Sequence, residues 1–126
     1  MTTVRAVIVT HGSLGSALVE AVARVLGPAR YCDVVSNEGL SLEQLIGTVG
    51  IHLDGTPTVM FTDFCGGSAY AACHALQERH PETAVVSGVN LPMLLSFFSK
   101  RDTLPFGELV AAVETDGHRG IQRTVA

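Results

Sequence analysis

The sequence has no long uninterrupted apolar segment. Although 47% of its residues are hydrophobic, the apolar stretches fall far short of the roughly 18–20 residues that a membrane-spanning helix needs. The chain also lacks the basic start and extended apolar region of a secretory signal, since Met1-Thr2-Thr3-Val4-Arg5 leads directly into a short apolar strand. We therefore expect a soluble, cytoplasmic protein that does not insert into membranes.

Concentrated positive charge is also missing. The formal net charge is −4, and the eight lysine and arginine residues are spread along the chain. Nucleic acids and anionic membrane surfaces attract proteins with clustered positive charge. The sequence therefore favours neither nucleic acid nor a membrane surface as a partner.

Cysteine is scarce and irregularly spaced. Cys32, Cys65 and Cys73 are odd in number and lack the spacing of metal ligands. A chain of 126 residues is long enough to bury a core without crosslinks, so this usage indicates a reducing compartment. Cys65 is interpreted as a small residue in a tight turn, and neither a metal site nor a cofactor is expected.

Short β-branched segments alternate with longer segments of helical period. The pattern predicts strands over residues 4–10, 31–35, 58–62 and 84–89, and helices over 14–25, 42–49, 68–80, 92–98 and 106–117. Strands that alternate with helices in this way form parallel sheets with helices on both faces, joined by right-handed crossovers. The expected fold is an open three-layer α/β/α sandwich, formed by residues 1–126 as one domain.

A histidine and an aspartate follow two of the predicted strands. Ligands of open parallel sheets bind at the carboxyl ends of the strands, where His11 follows the first strand and Asp63 the third. If these strands are neighbours, the two side chains leave the same edge of the sheet side by side. A carboxylate bound to one imidazole nitrogen fixes the tautomer and makes the other nitrogen a nucleophile.

Gly66 and Gly67 precede Ser68, which is predicted to begin a helix. Glycines allow backbone N–H groups to approach a ligand closely, and a helix N-terminus attracts anions. Taken singly, a strand-end histidine, a turn aspartate and a glycine-rich helix start are each more often structural. Together they suggest phosphoryl transfer with His11 as the acceptor. The other histidines are expected to be surface or packing residues: His52, His74, His80 and His118.

Four segments form a recognisable pattern: Ile-Val-Thr-His-Gly at 8–12, Asp-Phe-Cys-Gly-Gly-Ser at 63–68, Gly-Val-Asn-Leu-Pro-Met-Leu at 88–94 and Ala-Val-Glu-Thr at 112–115. Together they closely resemble the mannose-family enzyme IIA domain of the bacterial phosphotransferase system. The resemblance covers almost the whole chain, in order and at suitable spacing. The segment at 88–94 is the most specific part.

The resemblance implies a function and a set of site residues. In that family the histidine that ends the first strand accepts a phosphoryl group from the histidine-containing phosphocarrier protein HPr and passes it to a IIB component. His11 is then the phosphoacceptor and Asp63 its orienting carboxylate. Gly66, Gly67 and Ser68 are the residues that hold the phosphoryl oxygens. Because the chain stops after the IIA domain, IIB is expected to be a separate protein.

The resemblance also implies a quaternary structure. The family fold has a four-stranded parallel sheet in the order 2-1-3-4. To this sheet is added a C-terminal antiparallel strand that is exchanged between the two subunits of a homodimer.

Several residues depart from the family pattern. Phe64 and Cys65 stand where the family usually has Thr and Trp, and Ala69 stands in place of Pro. The region between residues 28 and 58 is also shorter. These changes are expected to affect the rim where partners dock and to leave the histidine and its carboxylate untouched.

Alternative functions are a regulatory phosphoacceptor that is not coupled to sugar transport, a nucleotide-binding module and a hydrolase. The phosphocarrier subunit of dihydroxyacetone kinase has the same fold, but the segment at 88–94 fits the mannose type better. Residues 12–15 and Asp33 suggest a nucleotide site, although the spacing is not G-x-G-x-x-G. Ser13 with His118 suggests a hydrolase, but the G-x-S-x-G motif is absent.

Overall fold

Strands and helices alternate along the chain until the last two helices follow one another. The computed structural model describes residues 3–126, so the first two residues of the expected domain lie outside the described part. The elements are β1 Arg5–Thr10, α1 Leu14–Leu26, β2 Cys32–Ser36, α2 Leu42–Gly50, β3 Thr58–Thr62, α3 Ser68–Gln77, β4 Thr83–Ser87, α4 Leu91–Lys100 and α5 Phe106–Arg119.

The four strands form one parallel sheet in the order β2-β1-β3-β4. β1 lies between β2 and β3, with Val9 beside Val35 on one side and Thr62 on the other. β3 pairs with β4 in the same direction, so that Thr62 lies beside Ser87. The expected parallel sheet and its strand order are confirmed.

Two hydrophobic clusters cover the two faces of the sheet, because side chains alternate between the faces along each strand. Ala6 and Ile8 of β1 pack with residues of α1, α4 and α5. Val7 and Val9 pack instead with residues of α2 and α3. The molecule therefore has the three layers that the sequence predicts.

Local side-chain hydrogen bonds begin two of the helices. Ser41 Oγ accepts the Gln44 N–H at 3.1 Å, and Gln44 Oε1 accepts the Ser41 N–H at 2.9 Å. This reciprocal pair is a capping box, which begins α2 after Ser41. Asn90 Oδ1 accepts the Met93 N–H at 3.0 Å and caps α4.

Two predicted elements end earlier in the structure. β4 stops at Ser87 and not at residue 89, because Gly88 takes a φ of +83° that turns the chain out of the sheet. α3 ends at Gln77 and not near residue 80. The N–H groups of Arg79 and His80 donate to carbonyls three residues back, which tightens the last turn into 3₁₀ geometry.

Residues 121–126 follow α5 without helix or strand structure in the single chain. β4 lies at an edge of the sheet, which leaves one of its sides without a neighbouring strand in the described residues. The exchanged C-terminal strand that the resemblance implies therefore stays a prediction. Within residues 3–126, none of the helices has both the length and the apolar composition needed to cross a membrane.

Gly15 and Gly47 are helical glycines in opposite environments, and they predict opposite effects of the same substitution. A Cβ on Gly15 of α1 would lie 2.9 Å from Val34 Cγ1 and 3.1 Å from Thr10 Oγ1. Gly15→Ala should lower the free energy of unfolding by about 1–3 kcal/mol, as overpacking does. A Cβ on Gly47 of α2 would instead meet, within 4 Å, none of the described atoms beyond its chain neighbours and the backbone of its own helix.

For that reason, Gly47→Ala should raise the free energy of unfolding by about 0.5–1 kcal/mol, since alanine loses less backbone entropy than glycine in a helix. Urea unfolding of both variants beside the wild type measures the two changes. Equal changes of the same sign would contradict the close packing of α1 on β1 and β2.

Candidate active site

His11 follows β1 at the carboxyl edge of the sheet. The preceding Thr10 is fully buried, and its Oγ1 accepts the Gly15 N–H at 2.8 Å, which holds the first turn of α1 against the strand. Gly12 turns the chain with a φ of +51°, a conformation that favours glycine. This tight turn leaves the His11 side chain 48% exposed at the sheet edge.

Asp63 lies beside His11 because β3 is the neighbour of β1. Its Oδ2 is 2.7 Å from Nδ1 of the His11 ring and also accepts the His11 backbone N–H at 3.0 Å. The aspartate side chain is only 10% exposed. The pair predicted from the two strand ends is therefore brought together, and one oxygen holds both the backbone and the ring of the histidine.

The charge state of Asp63 determines the tautomer of His11. Partial burial raises the pKa of Asp63, but hydrogen bonds from the His11 backbone and ring outweigh it, and the resulting pKa lies below its usual value. An ionised carboxylate can only accept hydrogen bonds, so Nδ1 must carry the proton. In the neutral imidazole Nε2 then has a free lone pair, and none of the hydrogen bonds among residues 3–126 engages it.

The start of α3 lies against the histidine ring. Gly67 is the N-cap residue and makes no side-chain cap, and a Cβ on it would come within 3.2 Å of His11 Cε1. The first N–H groups of any helix have no acceptor within that helix. Gly67 therefore lies against the His11 ring, and Gly66 and Ser68 are its neighbours in the chain.

An asparagine that the sequence analysis did not identify contacts Ser68. Asn37 follows β2, and its Nδ2 donates to Ser68 Oγ at 3.0 Å. A hydroxyl that accepts this bond keeps its own proton for another partner. The only sequence signal was the position of Asn37 after a predicted strand, at the same sheet edge as His11.

The expectation that the family departures affect only the rim is wrong for two residues. The ring of Phe64 stacks on that of His11, with centroids 5.2 Å apart and planes inclined by 17°. Ala69 is fully buried among the residues that α3 packs on the sheet. Cys65 is exposed in the loop between them.

Each of the other four histidines has a side-chain partner outside the His11–Asp63 pair. Their nearest partners are Asp33 for His52 at 3.3 Å, Glu82 for His80 at 3.3 Å, Glu114 for His118 at 3.8 Å, and the ring of Tyr70 for His74. Within residues 3–126, no group of three or more His, Cys, Asp or Glu residues is placed to hold a metal ion.

Comparison with known proteins identifies a family. The family model EIIA-man, described as "PTS system fructose IIA component", matches residues 5–114. The sorbose-specific EIIA component of the phosphotransferase system of Klebsiella pneumoniae is 30% identical over 113 residues, which cover 84% of this chain and 81% of that protein.

The mannose-specific EIIAB component of Escherichia coli K12 is 33% identical over 128 aligned positions, which cover 95% of this chain. The chain spans 39% of the length of that larger protein. Among solved structures, component EIIA from Streptococcus agalactiae superposes with a TM-score of 0.90 at 24% identity, covering 95% of this chain and 96% of that one. The structural likeness establishes the fold.

The matched family model covers both members of the histidine–aspartate pair. The sorbose-specific relative matches over most of its own length. These findings favour the phosphocarrier interpretation over the nucleotide-binding and hydrolase alternatives. The chain therefore belongs to the mannose and sorbose family of phosphotransferase-system IIA components, which are phosphocarriers in sugar uptake.

Proposed function

We propose that His11 takes a phosphoryl group from the histidine phosphocarrier protein HPr and passes it to a IIB component. The observation that carries the proposal is the 2.7 Å contact between Asp63 Oδ2 and Nδ1 of His11. This contact leaves Nε2 as the nucleophilic nitrogen of a half-exposed ring. A phosphoryl donor can reach such an atom without any movement of the sheet.

The transfer step needs no external acid or base. The lone pair of Nε2 forms a bond to phosphorus while the phosphorus–nitrogen bond of the donor's phosphohistidine breaks. The electron pair of the broken phosphorus–nitrogen bond returns to the donor's ring nitrogen. The proton on Nδ1 stays in its hydrogen bond to Asp63, whose negative charge stabilises the positive ring that forms.

Gly66, Gly67 and Ser68 are proposed to hold the oxygens of the phosphoryl group. The free N–H groups at the start of α3 and the helix dipole favour an anion at this place. The Ser68 hydroxyl, whose oxygen accepts a hydrogen bond from Asn37, has its own proton available for a phosphoryl oxygen. The close approach of Gly67 to the ring, where an added Cβ would lie 3.2 Å from His11 Cε1, supports this role.

We also propose that the protein acts in the cytoplasm as a homodimer, with residues 1–126 as its IIA unit. The edge position of β4 and the absence of helix or strand in residues 121–126 support an exchanged C-terminal strand. An antiparallel strand from a second subunit would pair with the free edge of β4.

The first test is phosphorylation of His11. Incubation with phosphoenolpyruvate, enzyme I and HPr should add one acid-labile phosphoryl group to the wild-type chain, read by intact mass. His11→Ala should show no adduct, because the nucleophilic nitrogen is gone. His118→Ala is the matched control, since His118 is also exposed, at 77%, and lies on α5. An adduct on His11→Ala, or none on His118→Ala, would contradict the assignment.

The second test is the rate of transfer in Asp63→Asn. The amide can still hold the ring, but it has no charge to stabilise the positive imidazole, and transfer should slow by roughly 10²-fold. Asp54→Asn is the control. Asp54 precedes β3, at the amino ends of the strands, and pairs with Arg5 at 3.5 Å. Quench-flow transfer from phosphorylated HPr measures both rates. A wild-type rate in Asp63→Asn would remove the proposed role.

The third test is the effect of pH on stability. Because the pKa of Asp63 in the folded protein lies below its ordinary value of 3.8, the ionised side chain stabilises the fold above that ordinary value. This stabilisation is lost as the pH falls through the lowered value. Urea unfolding should therefore show wild type more stable than Asp63→Asn near neutral pH, with the difference shrinking in acid. A difference that is constant with pH would mean that the charge of Asp63 does not contribute.

A further inference from the structure

An aromatic ring covers one face of the proposed phosphoacceptor. The centroids of Phe64 and His11 are 5.2 Å apart and their planes are inclined by 17°, which is the geometry of an offset aromatic stack. Phe64 is nevertheless 50% exposed. A large apolar ring is therefore half-exposed to solvent, directly beside the nucleophilic imidazole.

Three features of the loop hold this stack in place. The Phe64 N–H donates to Asp63 Oδ1 at 3.2 Å, while Asp63 Oδ2 holds the histidine. Gly67 supplies the space, because a Cβ there would lie 3.0 Å from Phe64 Cζ and 3.2 Å from His11 Cε1. A side chain at position 67 would force these ring atoms to shift, so the observed stack depends on the glycine.

The stack leaves the reaction path open. A nitrogen of imidazole attacks through its in-plane lone pair, whereas Phe64 lies over the face of the ring. Rotation of the ring about the Cβ–Cγ bond would move both nitrogens, and the hydrogen bond between Nδ1 and Asp63 resists it at one edge of the ring. Contact with the flat face of Phe64 opposes that rotation and keeps Nε2 in one direction.

The stack also distinguishes the phosphorylated from the free histidine. With Nδ1 still protonated, a phosphoryl group on Nε2 makes the imidazole ring positively charged. A cation within about 6 Å of an aromatic centroid is attracted by the negative face of the ring, and His11 lies within that distance. Phe64 therefore interacts more strongly with the phosphorylated ring than with the neutral one.

We propose that Phe64 is a positioning residue for phosphoryl transfer at His11, which aims Nε2 by stacking and stabilises the phosphorylated imidazole through its aromatic face. The inference rests on the proposed function of His11. It assigns to position 64 a role that depends on the aromatic residue of this chain, where the family usually has threonine.

The test compares Phe64→Leu, which keeps apolar bulk without an aromatic face, with Phe64→Tyr, which restores the face. The control is Tyr31→Leu. Tyr31 is an aromatic residue of similar exposure, 58%, and it precedes β2 at the amino ends of the strands. Each variant is phosphorylated with phosphoramidate, a small donor that needs no docking partner, and separately with HPr.

The readouts are the half-life of the phosphohistidine and the equilibrium of transfer with HPr. Hydrolysis removes the positive charge of the ring, so a residue that stabilises this charge slows hydrolysis. Phe64→Leu should shorten the half-life and shift the equilibrium away from the phosphorylated chain, each by roughly two- to fivefold. Phe64→Tyr and Tyr31→Leu should stay close to the wild type.

Proton NMR of the His11 ring gives a signature that a purely structural role would not produce. Ring-current shifts of the carbon-bound ring protons should be present in wild type and Phe64→Tyr and absent in Phe64→Leu. Retention of these shifts in Phe64→Leu would overturn the stack itself.

Other outcomes separate this inference from the proposed function. Equal half-lives in wild type and Phe64→Leu, or equal losses in Phe64→Leu and Phe64→Tyr, would overturn the role of the aromatic face. A change in the KM for HPr alone would assign Phe64 to docking and also overturn it. Labelling by phosphoramidate but not by HPr would reject HPr as the donor. If the half-life is then shorter in Phe64→Leu than in wild type and Phe64→Tyr, the result supports the inference. No labelling of wild type by either donor would overturn both.

Discussion

The candidate site depends on one carboxylate oxygen, Asp63 Oδ2, which accepts hydrogen bonds from the backbone N–H and the ring Nδ1 of His11. The backbone bond fixes where the chain leaves β1, and the ring bond fixes which imidazole nitrogen keeps a lone pair. Neither bond could form if another strand lay between β1 and β3. The strand order therefore determines the chemistry, because it makes the carboxyl ends of these two strands adjacent.

The second constraint is the lack of a side chain at position 67. The start of α3, the Phe64 ring and the His11 ring all meet at that point, and a single Cβ would come within 3.2 Å of both rings. On the sequence alone, the two glycines are explained by the approach of a phosphoryl group. The structure gives Gly67 a second reason, since it is also the space in which the aromatic stack forms.

Most of the fold could be predicted from the sequence because its signals are local. Short β-branched apolar runs and apolar residues of helical period each specify a short segment. The errors at the ends of β4 and α3 are of two or three residues and arise where a single turn residue or a 3₁₀ turn ends the element. The proximity of His11 and Asp63 was predictable because parallel strands bring their carboxyl ends to one edge.

The remaining site contacts could not be predicted because they join loops that are distant in sequence. Asn37 reaches Ser68 across 31 residues, and the direction of the Phe64 ring depends on space left by Gly67 and on the rotamer of His11. A resemblance to a family is least informative at these loop positions, because it gives the residues of other chains and not the contacts that this chain makes. Phe64 illustrates the difference. It departs from the pattern that the sequence resembles, and its ring nevertheless contacts the His11 ring. The two oxygens of Asp63 connect these positions, since one holds the His11 ring and the other accepts the backbone N–H of the Phe64 that stacks on it.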